Sequence, residues 1–508
     1  MSLRLSAPVK GWTQRASGVD TQGTAEVMDG WVPTARGCRL RGGLRRVASV
    51  GAPVTALFGF DTPNLSPLFA ATETDIRDIS ALDPDGAGTV VRSGLTSGAW
   101  CVATFGAGGG PRLIGVNGAD TGFSYDGAAF ADLALREEDD ETVRGSDDLA
   151  YVWGYRNRLW FIVGGTFTAL YLDPLSLGGK ASPFVLEGVM KAGGALLFGA
   201  TWSMDTGDGL DDKIVFVSTE GEVAVYAGAF PTDANGWALQ GLYRIGRPLG
   251  PHAHMRAGGD LLIATVEGLV SLNEAISKDR AALSATAVSR PIEPHWTYMA
   301  GVHETGWTLT KWAERNLVVV TLPSEAGAAG AHLETGAWGR LDGWRGTCAA
   351  YHDGRLFTGR SDGRVVALDE TGNDDGAPFT ARLLTGFNDF GAGPGWKVAQ
   401  LVKPLLYASA GLTYRVGIAT DETVAFPVAP SPNVVDAEGT TWGTLVWGVS
   451  PWPVETEPYQ GAIGEWEPVA GAGSTLAVSL QVGSAGTQRT LAEVIGFDLH
   501  LEGGAAVA

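Results

Sequence analysis

The sequence predicts an all-β protein: a β-propeller of about seven blades with an additional β-sandwich-like platform domain. Three observations predict it. An apolar stretch recurs seven times, beginning at Leu68 (LFAA), Leu113 (LIGV), Leu159 (LWFI), Ile214 (IVFV), Leu261 (LLIA), Leu317 (LVVV) and Leu356 (LFTG), with successive starts 45, 46, 55, 47, 56 and 39 residues apart. That period matches a four-stranded propeller blade. The clearest copies, KIVFVSTEGEVAVYAG, DLLIATVEGLVSLNEA and RLFTGRSDGRVVALDETG, each place a glycine (Gly221, Gly268, Gly363) between two strand-like runs, as a hairpin turn requires. Finally, 73 glycines and 25 prolines in 508 residues interrupt the chain too often for long helices. One hairpin cannot bury both faces, so blades stacked around an axis are the economical solution. The sixth repeat is interrupted by PSEAGAAGAH and the first lacks a clear turn glycine, so six or eight blades also fit the pattern.

Residues 1–50 read as a basic arm. Arg4, Lys10, Arg15, Arg36, Arg39, Arg41, Arg45 and Arg46 stand against Asp20, Glu26 and Asp29, a net of +5, which leaves −25 on the remainder of a chain whose total is −20. Arg36, Arg39, Arg41, Arg45 and Arg46 are the candidate assembly residues, expected to pack on the platform or on an acidic neighbouring subunit, with the propeller folding without them. Residues 51–375 are the propeller. Within it, NEAISKDRAALSATAV (273–288) is the one stretch that reads as a helix, ending before Pro291. The segment from Asp132 to Asp148 holds eight acids against Arg136 and Arg144. Its simplest reading is a solvated loop between blades, and Glu137, Glu138, Asp139, Asp140 and Glu141 are the candidate lumen or gating residues. After the polar joint ETGNDDGAP, residues 376–508 read as short strands between Gly and Pro turns, with Trp442, Trp447, Trp452 and Trp466 in their midst.

The search for chemistry returns turns rather than sites. Asp120-Thr121-Gly122 and Asp205-Thr206-Gly207 lack the flanks of an aspartic-protease dyad. Asp205, Asp208, Asp211 and Asp212 have the wrong spacing for an EF-hand calcium loop. His252 and His254 share one strand face without a third ligand. FGAGGGPRL and GAGPGWKV lack the strand-to-helix setting and GK[ST] ending of a phosphate loop. Cys38, Cys101 and Cys348 are far apart and odd in number, which favours buried apolar fillers over a disulfide or thiolate site. No catalytic, cofactor-binding or metal residue is assigned, and no enzyme activity is expected. No run of about 18 apolar residues suggests a membrane span, and MSLRLSAPVKGW lacks a secretory core, so synthesis in the cytoplasm is expected. An acidic body is a poor ligand for phosphate backbones but suits surrounding a duplex without gripping it.

The flanks resemble the tail proteins of short-tailed double-stranded-DNA bacteriophages. Gly11-Trp12, Asp29-Gly30-Trp31-Val32-Pro33 and Leu40-Arg41-Gly42-Gly43 occupy places of their shared opening. AISKDRAALSATAVSRPIEPHW (275–296) is similar to a recurring middle segment, and TGFNDFGAGPGWKVAQLVKPLL with the final LHLEGG to their tail domain. The chain departs at Met28-Asp29, where the pattern has an apolar residue and Asn. The resemblance implies a tail nozzle in the virion: a homo-oligomeric ring, typically a hexamer, below the portal and tail adaptor, with fibres or a tip protein as further partners. Genomic DNA passes through during ejection without stable binding. The rival classes are a β-propeller glycan-active enzyme, for which Trp100, Trp153 and Trp160 could supply stacking, and a β-propeller protein-recognition platform that needs no ring.

Overall fold

The computed structural model describes residues 2–14, 21–139, 141–205, 210–232, 236–391, 395–408, 412–435 and 462–503. Each of the seven apolar triplets lies on the second strand, counted outward from the axis, of a separate antiparallel sheet. Blade 1 runs Ala56–Gly59, Leu68–Ala71, Asp75–Asp78, Thr89–Ser93, and blade 2 runs Cys101–Ala107, Gly110–Val116, Phe123–Tyr125, Phe130–Asp132. Blade 3 comprises Leu149–Tyr155, Arg158–Val163, Thr168–Tyr171 and Ser182–Val185; blade 4 comprises Leu196–Asp205, Leu210–Ser218, Glu222–Ala227 and Ala238–Arg244. Blade 5 has three strands, His254–Ala257, Asp260–Thr265 and Gly268–Ser271, and blade 6 has Thr308–Trp312, Leu317–Thr321, Ala328–His332 and Trp338–Arg340. Second strands are sandwiched by neighbouring blades on both faces, which is why they read as continuous apolar runs: every residue of Leu317–Thr321 is buried.

Blade 7 closes the ring. Its inner three strands, Cys348–His352, Arg355–Gly359 and Arg364–Thr371, take their outer partner from Gly43–Ser49, which pairs antiparallel with Arg364–Thr371. The arm expected over residues 1–50 is therefore divided: its last strand belongs to the propeller, because the final blade would otherwise expose an unpaired edge. A propeller independent of residues 43–49 is corrected accordingly. The innermost strands of blades 7 and 1 adjoin, so the circle is complete with seven blades. The turn glycines serve the second-to-third strand hairpins. Gly221 (φ 79°) and Gly363 (φ 86°) have left-handed backbones, and a Cβ on Gly221 would lie 2.4 Å from the Ile245 oxygen.

The helical stretch expected over 273–288 is split into Leu272–Ser277 and Arg280–Thr286, and a third helix, Glu293–Val302, follows. Asp279 stands at the cap position of the second helix. Pro291 does lie beyond the end of the second helix, in the short turn Arg290–Ile292, and Pro294, in the first turn of the third helix, occupies a place where its missing N–H costs nothing. These helices cover blade 5 where a fourth strand would lie, with Val288 N–H donating to the Leu269 carbonyl and Leu269 N–H to Ser289 Oγ.

The platform is two sheets sharing one core, and both chain ends build it. One sheet holds Ser2–Ser6, Trp31–Thr34, Gly37–Leu40, Lys397–Ala408, Ala462–Ile463, Glu467–Gly473 and Ala492–Gly503. The other holds Gly11–Trp12, Thr24–Asp29, Phe379–Thr385, Arg415–Thr420, Asn433–Val434 and Leu476–Ala485, and continues into blade 6 through the parallel bridges Gly11↔Trp338 and Asp29↔Arg340. A single hydrophobic cluster runs from Phe497 and Val402 in the platform to Trp296, Trp307 and Trp338 beside blades 5 and 6. Trp442, Trp447 and Trp452 lie outside the described residues.

Candidate functional site

Arm, blade 7 and platform meet at one buried carboxylate. Asp369 sits at a register break in the third strand of blade 7, with φ 64°, a backbone that aspartate tolerates better than most residues. Its Oδ1 accepts from Arg39 Nη1 at 3.0 Å and from the Gly42 amide at 2.6 Å, and its Oδ2 from Arg39 Nη2 at 3.0 Å. Arg315, from blade 6, and Arg489, from the platform, approach Oδ2 at 3.3 and 3.4 Å. Burial alone would push this carboxyl up, but Arg39, Arg489 and Arg315 outweigh burial and hold it below the usual carboxylate range. Gly42 and Gly43 allow the close approach: a Cβ would meet the Asp369 carbonyl carbon at 2.6 Å and the Asn373 oxygen at 1.9 Å.

The other arm cations end on the same joint. Arg41 makes a two-pronged pair with Asp374, 2.7 Å on each prong, and lies over the Phe379 ring at 3.8 Å. Arg45 bonds Glu370 at 2.6 Å, and Arg46 bonds Asp375 at 2.9 Å. Of the two expected places for the arm, the platform and a neighbouring subunit, the single chain shows the first: arm strands lie in the platform sheet, and Arg39, Arg41, Arg45 and Arg46 pair with acidic residues 369–375 of the same chain. Arg36, exposed on the Thr34–Gly37 turn, is the one of the five with no ion pair among the described residues. Sequence reading missed Asp369, Arg315 and Arg489. The available signal was the acid run Asp369, Glu370, Asp374, Asp375 opposite in sign to the arm.

The acidic candidates sit elsewhere. Leu135–Arg136 and Val143–Arg144 form a short hairpin between blades 2 and 3, and its first strand pairs with Gly179–Lys180, in the linker before the outer strand of blade 3. Glu137, Glu138, Asp139 and Glu141 are exposed around its tip, and Asp140 lies outside the described residues. Asp139 orders the tip by accepting from the Glu141 and Thr142 amides, each at 2.9 Å, which holds its carboxyl below the usual range.

The remaining motifs are structural. Asp120 accepts from the Thr96 and Ser97 amides and from Asn117, a turn carboxylate. Thr206 and Gly207 lie outside the described residues, and FGAGGGPRL forms the first turn of blade 2. His254 stacks on Phe198 at 4.0 Å, with Tyr151 Oη 3.3 Å from its Nε2. Crowding by protein, then His252, pushes its imidazole down to about 3, although both rings retain some access to solvent. All three cysteines are buried, and burial pushes the Cys101 and Cys348 thiols up to about 12, leaving little thiolate. Trp100, Trp153 and Trp160 are buried between blades, Trp153 stacking on Trp160, so none offers a face to a sugar. Among the described residues no group of three His, Cys, Asp or Glu is placed to hold a metal ion.

One constellation was not read from sequence. Asp61, Ser66 and His352, the residue types of a hydrolytic triad, come together where blades 7 and 1 meet. Ser66 Oγ donates to Asp61 Oδ1 at 2.5 Å and lies 3.2 Å from His352 Nε2, which also faces the Ser66 carbonyl at 3.1 Å, while His352 Nδ1 lies 3.1 Å from Asp61 Oδ1. The hydroxyl proton is directed at the carboxylate instead of the imidazole, which is not the relay that activates a serine.

No protein-family model and no curated protein sequence matches the chain. Among solved structures it is similar to BBS1N in a complex with ARL6DN, at 11% identity and TM-score 0.39 over 65% of this chain and 96% of that one. It is also similar to the Swd1 β-propeller domain of Myceliophteria thermophila (11%, TM-score 0.38, 66% and 100%) and to YCF48 from Cyanidioschyzon merolae (11%, TM-score 0.35, 64% and 98%). At these values the likeness carries no argument, and the fold rests on the chain's own strand order. The chain is an all-β protein, a seven-bladed β-propeller carrying a two-sheet platform.

Proposed function

We propose that this chain is a structural virion protein, the tail nozzle of a short-tailed double-stranded-DNA bacteriophage, forming a ring below the tail adaptor that retains and then conducts the genome. One observation carries the reading: the separate segments that hold the sequence resemblance pack on one another. Gly11-Trp12 bridges Trp338, and Trp296 of the middle segment meets Trp338 at 6.1 Å. Leu40 to Gly43 wraps Asp369, while Lys397–Ala408 and Ala492–Gly503 form the platform's central strand pair. A propeller and platform joined by a shared sheet and a buried ionic clamp move as one body, which suits a ring subunit. The exposed acidic hairpin then repels phosphate and keeps a passing duplex centred. No residue does bond chemistry in this scheme.

The test is mass measurement of the protein alone and mixed with its adaptor, followed by imaging. A closed ring is expected in the mixture, and monomer under both conditions overturns the proposal. Purified protein should show no saturable binding to duplex DNA at about 0.15 M salt, whereas tight binding that weakens steeply with salt would contradict a repelling conduit. A recognition platform without a ring is the second reading, favoured by a groove of about 560 Å³ at the seam of blades 7 and 1, lined among others by Asp61, Tyr351 and Asp353.

A further inference from the structure

A cleft of about 360 Å³ opens where blades 6 and 7 meet the strand Gly43–Ser49. The turns that follow the second strands of these blades supply Glu325, Arg360 and Asp362, and the Asp342–Trp344 turn ends at Arg345. Most of the acids on its walls already hold a cation. Arg340 bonds Asp342 at 2.7 Å, Arg41 bonds Asp374 at 2.7 Å, and Arg364 bridges Asp362 and Asp375. Glu325 accepts from the Ser361 amide at 2.6 Å through Oε1, while its Oε2 stands 3.8 Å from Arg360, beyond hydrogen-bond reach.

Two guanidiniums are left over. Arg360 is 9% exposed, and its Nη2 donates to the Gly343 carbonyl at 3.2 Å, but Nη1 and Nε make no hydrogen bond among the described residues. Arg345 is exposed and makes neither an ion pair nor a side-chain hydrogen bond among the described residues. The two cations act on each other. Burial pushes the Arg360 guanidinium down, Glu325 opposes that, and Arg345 adds to the push. A buried guanidinium with open N–H donors beside a like charge is an incomplete arrangement, and an acceptor that takes a bond from each arginine completes it.

We propose that this cleft binds a single carboxylate, held between Arg360 and Arg345. The planar guanidinium fork matches a carboxylate, and the acids on the walls disfavour the second negative charge of a phosphate. The experiment is calorimetric titration of the full chain, at fixed ionic strength, with acetate, with inorganic phosphate and with a hexapeptide blocked at both ends that carries one glutamate. The same peptide with glutamine is the control. Saturable binding of acetate or the glutamate peptide is expected, and none of the glutamine peptide. A peptide that binds more tightly than acetate marks a carboxylate borne by a partner protein, and equal affinity marks a free small carboxylate. Arg345→Gln should lower the affinity at least about tenfold, and Arg415→Gln, on an edge strand of the platform, should leave it unchanged. Arginine modification by phenylglyoxal, followed by peptide mapping, should find Arg345 protected by the carboxylate ligand. Arg360→Gln should abolish binding, and because that residue is buried, Arg345→Gln with an unchanged melting curve decides the matter if the Arg360 variant unfolds. Equal binding of the two peptides, undiminished affinity in Arg345→Gln, protection confined to other arginines, or phosphate binding more tightly than acetate overturns the proposal.

Discussion

Replacing Asp369 by asparagine keeps its shape and removes its charge. The side chain is 0% exposed, and Arg39, its two-pronged partner, is 14% exposed, so water cannot take over the solvation of either. Arg489 at 21% is partly screened, and Arg315 at 38% is exposed enough that its share is discounted. Breaking a buried pair by neutralising one member costs roughly 3–5 kcal/mol, because the stranded partner keeps its desolvation penalty. Against a total stability of about 5–15 kcal/mol this is a large fraction. Asp369→Asn should therefore lower the unfolding midpoint in urea and the Tm markedly, with platform and blade 7 losing protection from hydrogen exchange together. Arg45→Ala, on the more open pair with Glu370, should cost about 0–1 kcal/mol and serves as the control. The pH dependence has a definite sign. The folded carboxyl titrates below its unfolded counterpart, so its stabilisation is complete above about pH 4 and is lost as pH falls through the depressed folded value. The asparagine variant should lack that component of acid unfolding. A variant within about 1 kcal/mol of the parent, with the same acid profile, refutes the clamp.

Truncation to residue 51 removes the closing strand and should leave Cys348–Thr371 protease-sensitive, whereas a propeller of native protection in hydrogen exchange would count against closure by Gly43–Ser49. Gly363→Ala forces a Cβ onto a left-handed backbone 2.8 Å from the Ala52 amide nitrogen and should cost about 1–3 kcal/mol in thermal unfolding. His254 titrates lower when folded, so it stabilises above its unfolded pKa near 6.5 and that support declines as pH falls toward the folded value of about 3. With the ring partly open to solvent, the loss between pH 6.5 and 4 is on the order of 1 kcal/mol, and His254→Phe should flatten it in Tm measurements.

The propeller was legible because burial on both faces of each second strand leaves a local mark: Leu261 to Ala264 reads apolar without alternation, and Gly268 marks the turn that follows. The arm was legible in composition but not in partner. Arg39 and Asp369 are 330 residues apart, and nothing local distinguishes an arginine aimed at solvent from one aimed across the molecule. Long-range pairing likewise hid the blade to which Gly43–Ser49 belongs, since its alternation fits any edge. The third helix was not expected because it begins with Pro294, a residue tolerated in a first helical turn and forbidden later. Asp61 lies in a loop and His352 ends a strand, with no motif spacing between them, and they become neighbours only through closure of the circle.

The strand that completes blade 7 is made early and used late. Leu44 meets Thr371 across 327 residues, so during synthesis residues 43–49 leave the ribosome long before their partner exists. Until then blade 7 has no outer strand and the platform lacks its C-terminal half, so the N-terminal segment waits as an unpaired edge. Folding that depends on such distant pairings is slow and exposes sticky edges in the interim. The same arrangement works in reverse once the chain is whole. Tension between the two end strands meets their own pairing in the platform, Ser2–Ser6 with Ala492–Gly503, before it reaches Gly43–Ser49 and the closure of blade 7.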